Sequence, residues 1–131
     1  IEPMKRRGGG SIIATASVAG VVGFANSAPY IPRKHALCGL VKAVVLELAG
    51  SGIRVNAIAP RAIDNRMMQS LMSQLSPGNP GAMREGIQAT IPMKRYGANE
   101  EIANFVAFLA SDEASYSTGA VFMADGGLTT G

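Results

Sequence analysis

The 131 residues contain no tryptophan, one cysteine and one histidine, and only 16% of them are charged. A single thiol, Cys38, excludes an internal disulfide. It stands among Leu37, Leu40 and Val41 in a helical pattern and reads as a reduced, packed core group. One histidine and one cysteine are too few for a structural zinc site, so no metal is expected. The lone His35 also argues against a serine hydrolase, and the Gly-x-Ser-x-Gly elbow of such enzymes is missing. No apolar run approaches the ~20 residues that cross a bilayer. The opening Ile-Glu-Pro turns basic and glycine-rich instead of forming a signal-like segment. The expectation is a cytoplasmic protein with no membrane partner. Acid is the scarcer sign, 9 residues against 12 Lys and Arg, for a net charge of +3. Part of the excess is Lys5, Arg6 and Arg7 beside three glycines. No recognition motif accompanies it, so it reads as a solvated surface turn and no nucleic-acid partner is expected.

Hydrophobic residues make up 47% of the chain, enough for a real core at this length. "SIIATA", 11–16, is short, apolar and β-branched, and predicts a buried strand. Residues 17–29 read as a loop anchored by Val18, Val21, Val22 and Phe24. From about Tyr30 to Ala49, Leu37, Leu40, Val41, Val44, Val45 and Leu48 recur at helical spacing, and "GSG" at 50–52 ends the helix. "IRVNAIAP", 53–60, predicts a second buried strand. Residues 61–96 read as irregular: a methionine-rich segment compatible with a helix, then "SPGNPG", which reads as non-helical. "NEEIANFVAFLAS", 99–111, predicts an amphipathic helix with Asn99 as N-cap and Glu100 and Glu101 in its first turn. "AVFMAD", 120–125, predicts a third strand. Apolar strands alternating with helices imply a parallel sheet covered on both faces, a doubly wound α/β fold.

The phosphate-cradling fingerprint of dinucleotide-binding folds needs glycines after a strand and before a helix. Gly8–Gly10 precede a strand, and the glycines at 50 and 52 follow a helix, so both read as turns. Tyr30 and Lys34, four apart at a helix start, lie on one helix face. A free phenol ionises near pH ~10, and a neighbouring ammonium favours the phenolate, which suits a tyrosine to proton transfer.

Four motifs in order give this chain a family. "GGSIIATASVAG" resembles the fifth strand and serine-bearing turn of the short-chain dehydrogenase/reductase family. "YIPRK" matches its Tyr-x-x-x-Lys signature, with Ser17 at the usual distance before Tyr30. "GIRVNAIAP" resembles its sixth strand, and residues 91–127 are similar to its closing helix, turn and last strand. The resemblance covers nearly the whole chain and implies the C-terminal portion of a single Rossmann-type domain. The family's N-terminal cofactor half is expected to lie outside these residues.

The resemblance implies an oxidoreductase that moves hydride between NAD or NADP and a secondary alcohol or ketone, with a cyclic or alicyclic lean. Tyr30 would be the general acid/base, Lys34 its activator and a ribose ligand, and Ser17 the holder of the substrate oxygen. Pro60, Arg61, Ile63 and Asn65 would meet the cofactor. The methionine-rich stretch 66–91 falls in the family's substrate-covering region and suits an adaptable apolar lid. The family also implies a dimer or tetramer, with Val41, Val44, Val45, Leu48, Phe105 and Phe108 as contacts or core. The alternative is a truncated, non-catalytic fragment serving only as an assembly module. Departures from the pattern are Pro32 and Arg33 between Tyr30 and Lys34, Arg61 where the family has glycine after Pro60, and Asn65 in place of threonine. Pro32 is harmless only within the first helical turn. Arginine at position 61 gives up the backbone freedom that glycine has, and Arg61 is a candidate to reach cofactor phosphates.

Overall fold

The computed structural model describes residues 1–130. Glu2–Arg6 coil into a short helix, α1, with Glu2 paired to Lys5 at 3.1 Å. The basic cluster is therefore partly helical, and the turn comes after it, at Gly8 and Gly9, both at positive φ. A side chain on Gly9 would run into the carbonyl of Gly52, which is why the two turns at this end of the sheet are both glycine.

Three strands follow: β1 (Gly10–Thr15), β2 (Ile53–Pro60) and β3 (Val121–Ala124), parallel and side by side in that order. Helix α2 (Ile31–Leu48) connects the first pair. Three helices, α3 (Arg66–Leu75), α4 (Pro80–Thr90) and α5 (Asn99–Ala110), connect the second. Successive strand residues point to opposite faces, and the two faces bury different helices. Ile53, Val55 and Ala57 of β2, with Ile12, Ala14 and Val121, pack on Cys38, Val41 and Leu48 of α2. On the other face, Ser11 donates to the Leu109 carbonyl at 2.9 Å, and the Phe122 ring meets Phe105 edge-on with centroids 5.6 Å apart. Arg54 donates to the Leu109 and Ser111 carbonyls at 2.7 and 2.9 Å. The sheet is doubly wound.

Several local expectations change. The segment 61–96 is mostly helical. Asn65 caps α3 by accepting from the Met68 N–H at 2.9 Å, and Asn79 caps α4 by accepting from the Ala82 N–H at 3.0 Å. Pro80 opens α4, where a missing N–H costs nothing, so "SPGNPG" ends a helix and starts another. Ala98, not Asn99, is the N-cap of α5; its N–H donates to Glu101 at 2.8 Å. On α2 the inner stripe includes Cys38, while Leu40 is exposed. In the loop 17–29, Val18 is fully buried and Val21 is exposed.

Candidate active site

The C-terminal ends of β1 and β2 and the first turn of α2 bring the candidate residues together in two clusters. Ser17 stands two residues beyond β1 with an extended backbone. Its Oγ accepts from the Ala19 N–H at 3.2 Å, which caps a buried turn over Val18–Gly20. A hydroxyl oriented by accepting one bond keeps its own proton to donate. Gly20 lets that turn close on α2: a Cβ there would lie 2.8 Å from the Lys34 carbonyl oxygen and 2.6 Å from the Cys38 sulfur. Cys38 is buried at this contact, and its burial pushes the thiol pKa up.

Tyr30 is the N-cap residue of α2 and is 39% exposed. Pro32 falls within the first helical turn, where its missing N–H breaks no bond, and the Lys34 N–H still reaches the Tyr30 carbonyl at 3.2 Å. Lys34 Nζ donates to the Thr15 carbonyl at 2.9 Å and lies 5.7 Å from the Tyr30 ring centroid. One ammonium proton is committed to the strand and the others remain free. His35 is exposed, with Nδ1 3.2 Å from the Ile31 carbonyl.

The second cluster is the loop after β2. Pro60 ends the strand opposite Ala124, and the Arg61 N–H donates to the Ala124 carbonyl at 3.1 Å. The unusual backbone angle falls on Ala62, at φ +53, and not on Arg61. Arginine is therefore unstrained at a position where glycine was expected to matter. The Arg61 guanidinium stacks over the Phe24 ring at 4.0 Å, joining this loop to the one that leads into Tyr30. Burial pushes the pKa of Arg61 down, and the phenols of Tyr96 and Tyr30 work the other way.

Ile63 forms a parallel bridge with Gly97, made by the Asp64 N–H to Gly97 and the Gly97 N–H to Ala62. That pattern leaves the N–H and C=O of Ile63 itself unpartnered among the described residues, although Ile63 is only 9% exposed. A cleft of about 500 Å³ opens beside it, lined in part by Arg61, Ile63, Met93, Met123 and Asp125. Tyr30 and Ser17 do not line this cleft. Asn65 has its carboxamide oxygen engaged in capping α3, and its NH₂ group makes no hydrogen bond among the described residues.

The Asp64–Arg84–Tyr96 lock escaped the sequence reading. Arg84 donates twice to Asp64, at 3.0 and 2.8 Å, and covers the Tyr96 ring at 4.3 Å. The Tyr96 hydroxyl returns a bond to the Arg84 carbonyl at 3.2 Å. The Arg84 hydrogen bond holds the Asp64 carboxyl below its ordinary range. This ties α4 to the loop after β2. The only sequence signal for it would have been a helix over 80–90.

The family model for enoyl-(acyl carrier protein) reductase matches residues 1–129, nearly the whole chain. The chain belongs to the short-chain dehydrogenase/reductase family. Among similar members of the family is levodione reductase of Leifsonia aquatica, 44% identical over 127 residues, covering 97% of this chain and 48% of that protein. A crystal structure of levodione reductase superposes with a TM-score of 0.95 at 43% identity, over 98% of this chain and 50% of that one. L-sorbose reductase from Gluconobacter frateurii, solved with NADPH and L-sorbose, superposes with a TM-score of 0.89 at 34% identity, over 99% and 51%. The chain thus spans about half the length of the relatives it matches. Among the described residues no helix is long and apolar enough to cross a membrane.

Proposed function

We propose that these residues are the C-terminal, proton-transferring portion of a single Rossmann-type domain that interconverts a secondary alcohol and a ketone, ring-bearing by preference, with NAD or NADP. The observation that carries this is the Lys34 ammonium, bonded to Thr15 and held beside the ring of a partly exposed Tyr30. The open edge of β1 supports a larger domain. Its inner strands' apolar character continues in Ile12 and Ile13, and nothing among the described residues pairs with that edge.

When bound, the nicotinamide supplies or accepts the hydride. The unpaired backbone N–H and C=O of Ile63, at the cleft, suit a carboxamide, which needs one acceptor and one donor. The free NH₂ of Asn65 adds a donor nearby, and the remaining protons of Lys34 suit a ribose hydroxyl. In the reductive direction Tyr30 gives its phenolic proton to the substrate oxygen as the carbonyl carbon gains hydride. In the oxidative direction Tyr30 recovers that proton from the alcohol. The Ser17 hydroxyl donates to the same oxygen and steadies the charge that develops there. Lys34 holds a positive charge beside the Tyr30 ring, 5.7 Å from its centroid.

The native assembly is proposed to be a dimer or tetramer. Leu40 and Leu46 project from the outer face of α2, 56% and 86% exposed, and such apolar side chains suit burial by a second copy. The test uses the native polypeptide with cyclohexanone and either NADH or NADPH. Reduced-cofactor oxidation that Tyr30→Phe lowers by at least ~100-fold supports the reading. Assembly without cofactor binding or oxidation would replace it with the non-catalytic assembly module.

A further inference from the structure

The backbone that carries Ile63 is held in an uncommon shape. Ala62, the residue before it, sits at φ +53. A non-glycine residue rarely takes that left-handed conformation, and it persists only where the surroundings fix it. Two backbone bonds fix it from the side of segment 91–97. The Gly97 N–H donates to the Ala62 carbonyl at 3.0 Å, and the Asp64 N–H donates to the Gly97 carbonyl at 2.8 Å. Ala62 also clusters with buried Ile91 and Tyr96.

Arg84 of α4 reaches the other end of this short stretch. It donates to both carboxylate oxygens of Asp64, at 3.0 and 2.8 Å. A two-bonded arginine–carboxylate pair sets orientation as well as distance. The guanidinium is itself held in place, 4.3 Å from the centroid of the Tyr96 ring. The Tyr96 hydroxyl in turn meets the Arg84 carbonyl at 3.2 Å and the buried Met72 sulfur of α3 at 3.8 Å. Yet the paired side chains are 34% and 44% exposed, and ion pairs so open to solvent add little to stability. The consequence of the pair lies in where it holds Asp64, one residue from Ile63.

We infer that Arg84 is a positioning residue for the cofactor: through Asp64 it fixes the backbone of Ile63 and ties that backbone to the placement of α4. This role rests on the reading of Ile63 as the residue whose backbone meets the nicotinamide.

The test compares the native polypeptide as wild type, Arg84→Met, Arg84→Lys, Asp64→Asn and the Arg84→Met/Asp64→Asn double variant. NADH and NADPH binding is followed by fluorescence, amide exchange at Asp64 and Gly97 by NMR, and cyclohexanone reduction by kinetics. Arg84→Met should weaken cofactor binding roughly 10-fold, raising the cofactor KM while kcat changes less than about threefold. The Asp64 and Gly97 amides should exchange at least ~10-fold faster, with the strands unchanged. The double variant should be no weaker than Arg84→Met, because the two residues act as one unit. Arg84→Lys keeps the charge without the fork and should recover only part of the loss. If Arg84→Met fails to fold, Asp64→Asn carries the comparison. Unchanged cofactor affinity alongside ketone reduction overturns the inference and leaves the ketone-reduction reading standing. Two losses that add in the double variant overturn it too, as does faster exchange throughout the fold. Cofactor binding that depends on Arg84 without any ketone reduction supports the inference while the ketone-reduction reading fails. A folded wild type that binds neither cofactor overturns both.

Discussion

The side-chain ammonium of Lys34 donates a 2.9 Å hydrogen bond to the carbonyl oxygen of Thr15, the last residue of β1. The bond crosses from the first turns of α2 to the strand end that precedes Ser17 by two residues. It fixes the position of a charge whose nearest aromatic neighbour is Tyr30, at 5.7 Å. Lys34 is therefore placed to serve as a tether and as an electrostatic group, and stability and activity read the two separately.

Lys34→Met removes both but keeps the length of the aliphatic stem. One net hydrogen bond to a charged group is worth about 1.5–3 kcal/mol, and less where solvent competes, so the melting temperature should fall only modestly. Activity should fall by roughly 10²–10⁴, the range ascribed to a positioned acid or base. Lys34→Arg keeps the charge but, being a broader planar group, should restore little. Kinetics and thermal melts on the same samples decide this. A loss of less than tenfold in Lys34→Met would remove the ammonium from the chemistry.

Gly20→Ala tests the packing that sets Ser17 against α2. The added methyl would lie 2.8 Å from the Lys34 carbonyl and 2.6 Å from the Cys38 sulfur, both well inside contact distance. Overpacking of this kind typically costs about 1–3 kcal/mol. The sulfur is the end of a side chain, whereas the carbonyl belongs to helix backbone. Adding Cys38→Ala should therefore recover part of the loss and not all of it. Chemical denaturation of the two single variants and the double variant measures the coupling. A Gly20→Ala protein as stable as wild type would contradict the close approach.

The doubly wound α/β order was legible because the strands and α2 carry strong periodic or continuous apolar patterns. Ile53, Val55, Ala57 and Ile58 are all essentially buried, as a continuous apolar run implies. The Tyr30–Lys34 spacing is read directly from the sequence, although α2 begins at Ile31, six residues before its apolar pattern starts at Leu37. The segment 61–96 was legible only in part. In α3, Met67, Met68, Leu71, Met72 and Leu75 recur at helical spacing, so a helix could be read there. Helix α4, by contrast, buries no residue fully and opens in the proline- and glycine-rich stretch that reads as non-helical. The caps Asn65 and Asn79 carried the signal instead, and prolines beside Asn79 obscured it. Ala98 could not be read as a cap, because its role comes from the Glu101 carboxylate reaching back to its N–H. The stacking of Arg61 on Phe24 joins residues far apart in sequence, and spacing is silent about such pairs.

Glu101 predicts an acid limit to stability. Hydrogen bonds from Arg95, at 2.7 and 2.8 Å, and from the Ala98 N–H lower its pKa from 4.5 to about 2. A folded pKa below the unfolded one stabilises the fold fully above pH 4.5, and the benefit disappears as pH falls through about 2. Glu101→Gln should flatten the dependence of unfolding free energy on pH in that window. Carboxyl chemical shifts followed by NMR should place the wild-type midpoint near 2. A midpoint at the ordinary glutamate value would show that the Arg95 fork is open in solution.

Asn56 predicts the opposite sign for a new acid. It is fully buried in β2, donating to the Ser117 carbonyl at 2.7 Å and accepting from the Ala120 N–H at 3.2 Å. Those two bonds hold the segment that leads into β3. Asn56→Leu leaves both backbone groups without a partner, at about 1–3 kcal/mol each. Asn56→Asp keeps the acceptor for Ala120 but turns a carboxylate oxygen toward the Ser117 carbonyl. Burial and that repulsion favour the protonated acid, so its folded pKa should lie above the unfolded one. The penalty is then largest above the folded pKa and shrinks as pH falls toward the unfolded value, because a protonated carboxyl can donate to Ser117 again. Urea unfolding at neutral and mildly acidic pH should show Asn56→Asp gaining on Asn56→Leu as the solution is acidified. A constant difference between the two would mean that the carboxylate has found water, and that the Asn56 bridge is less enclosed than its burial implies.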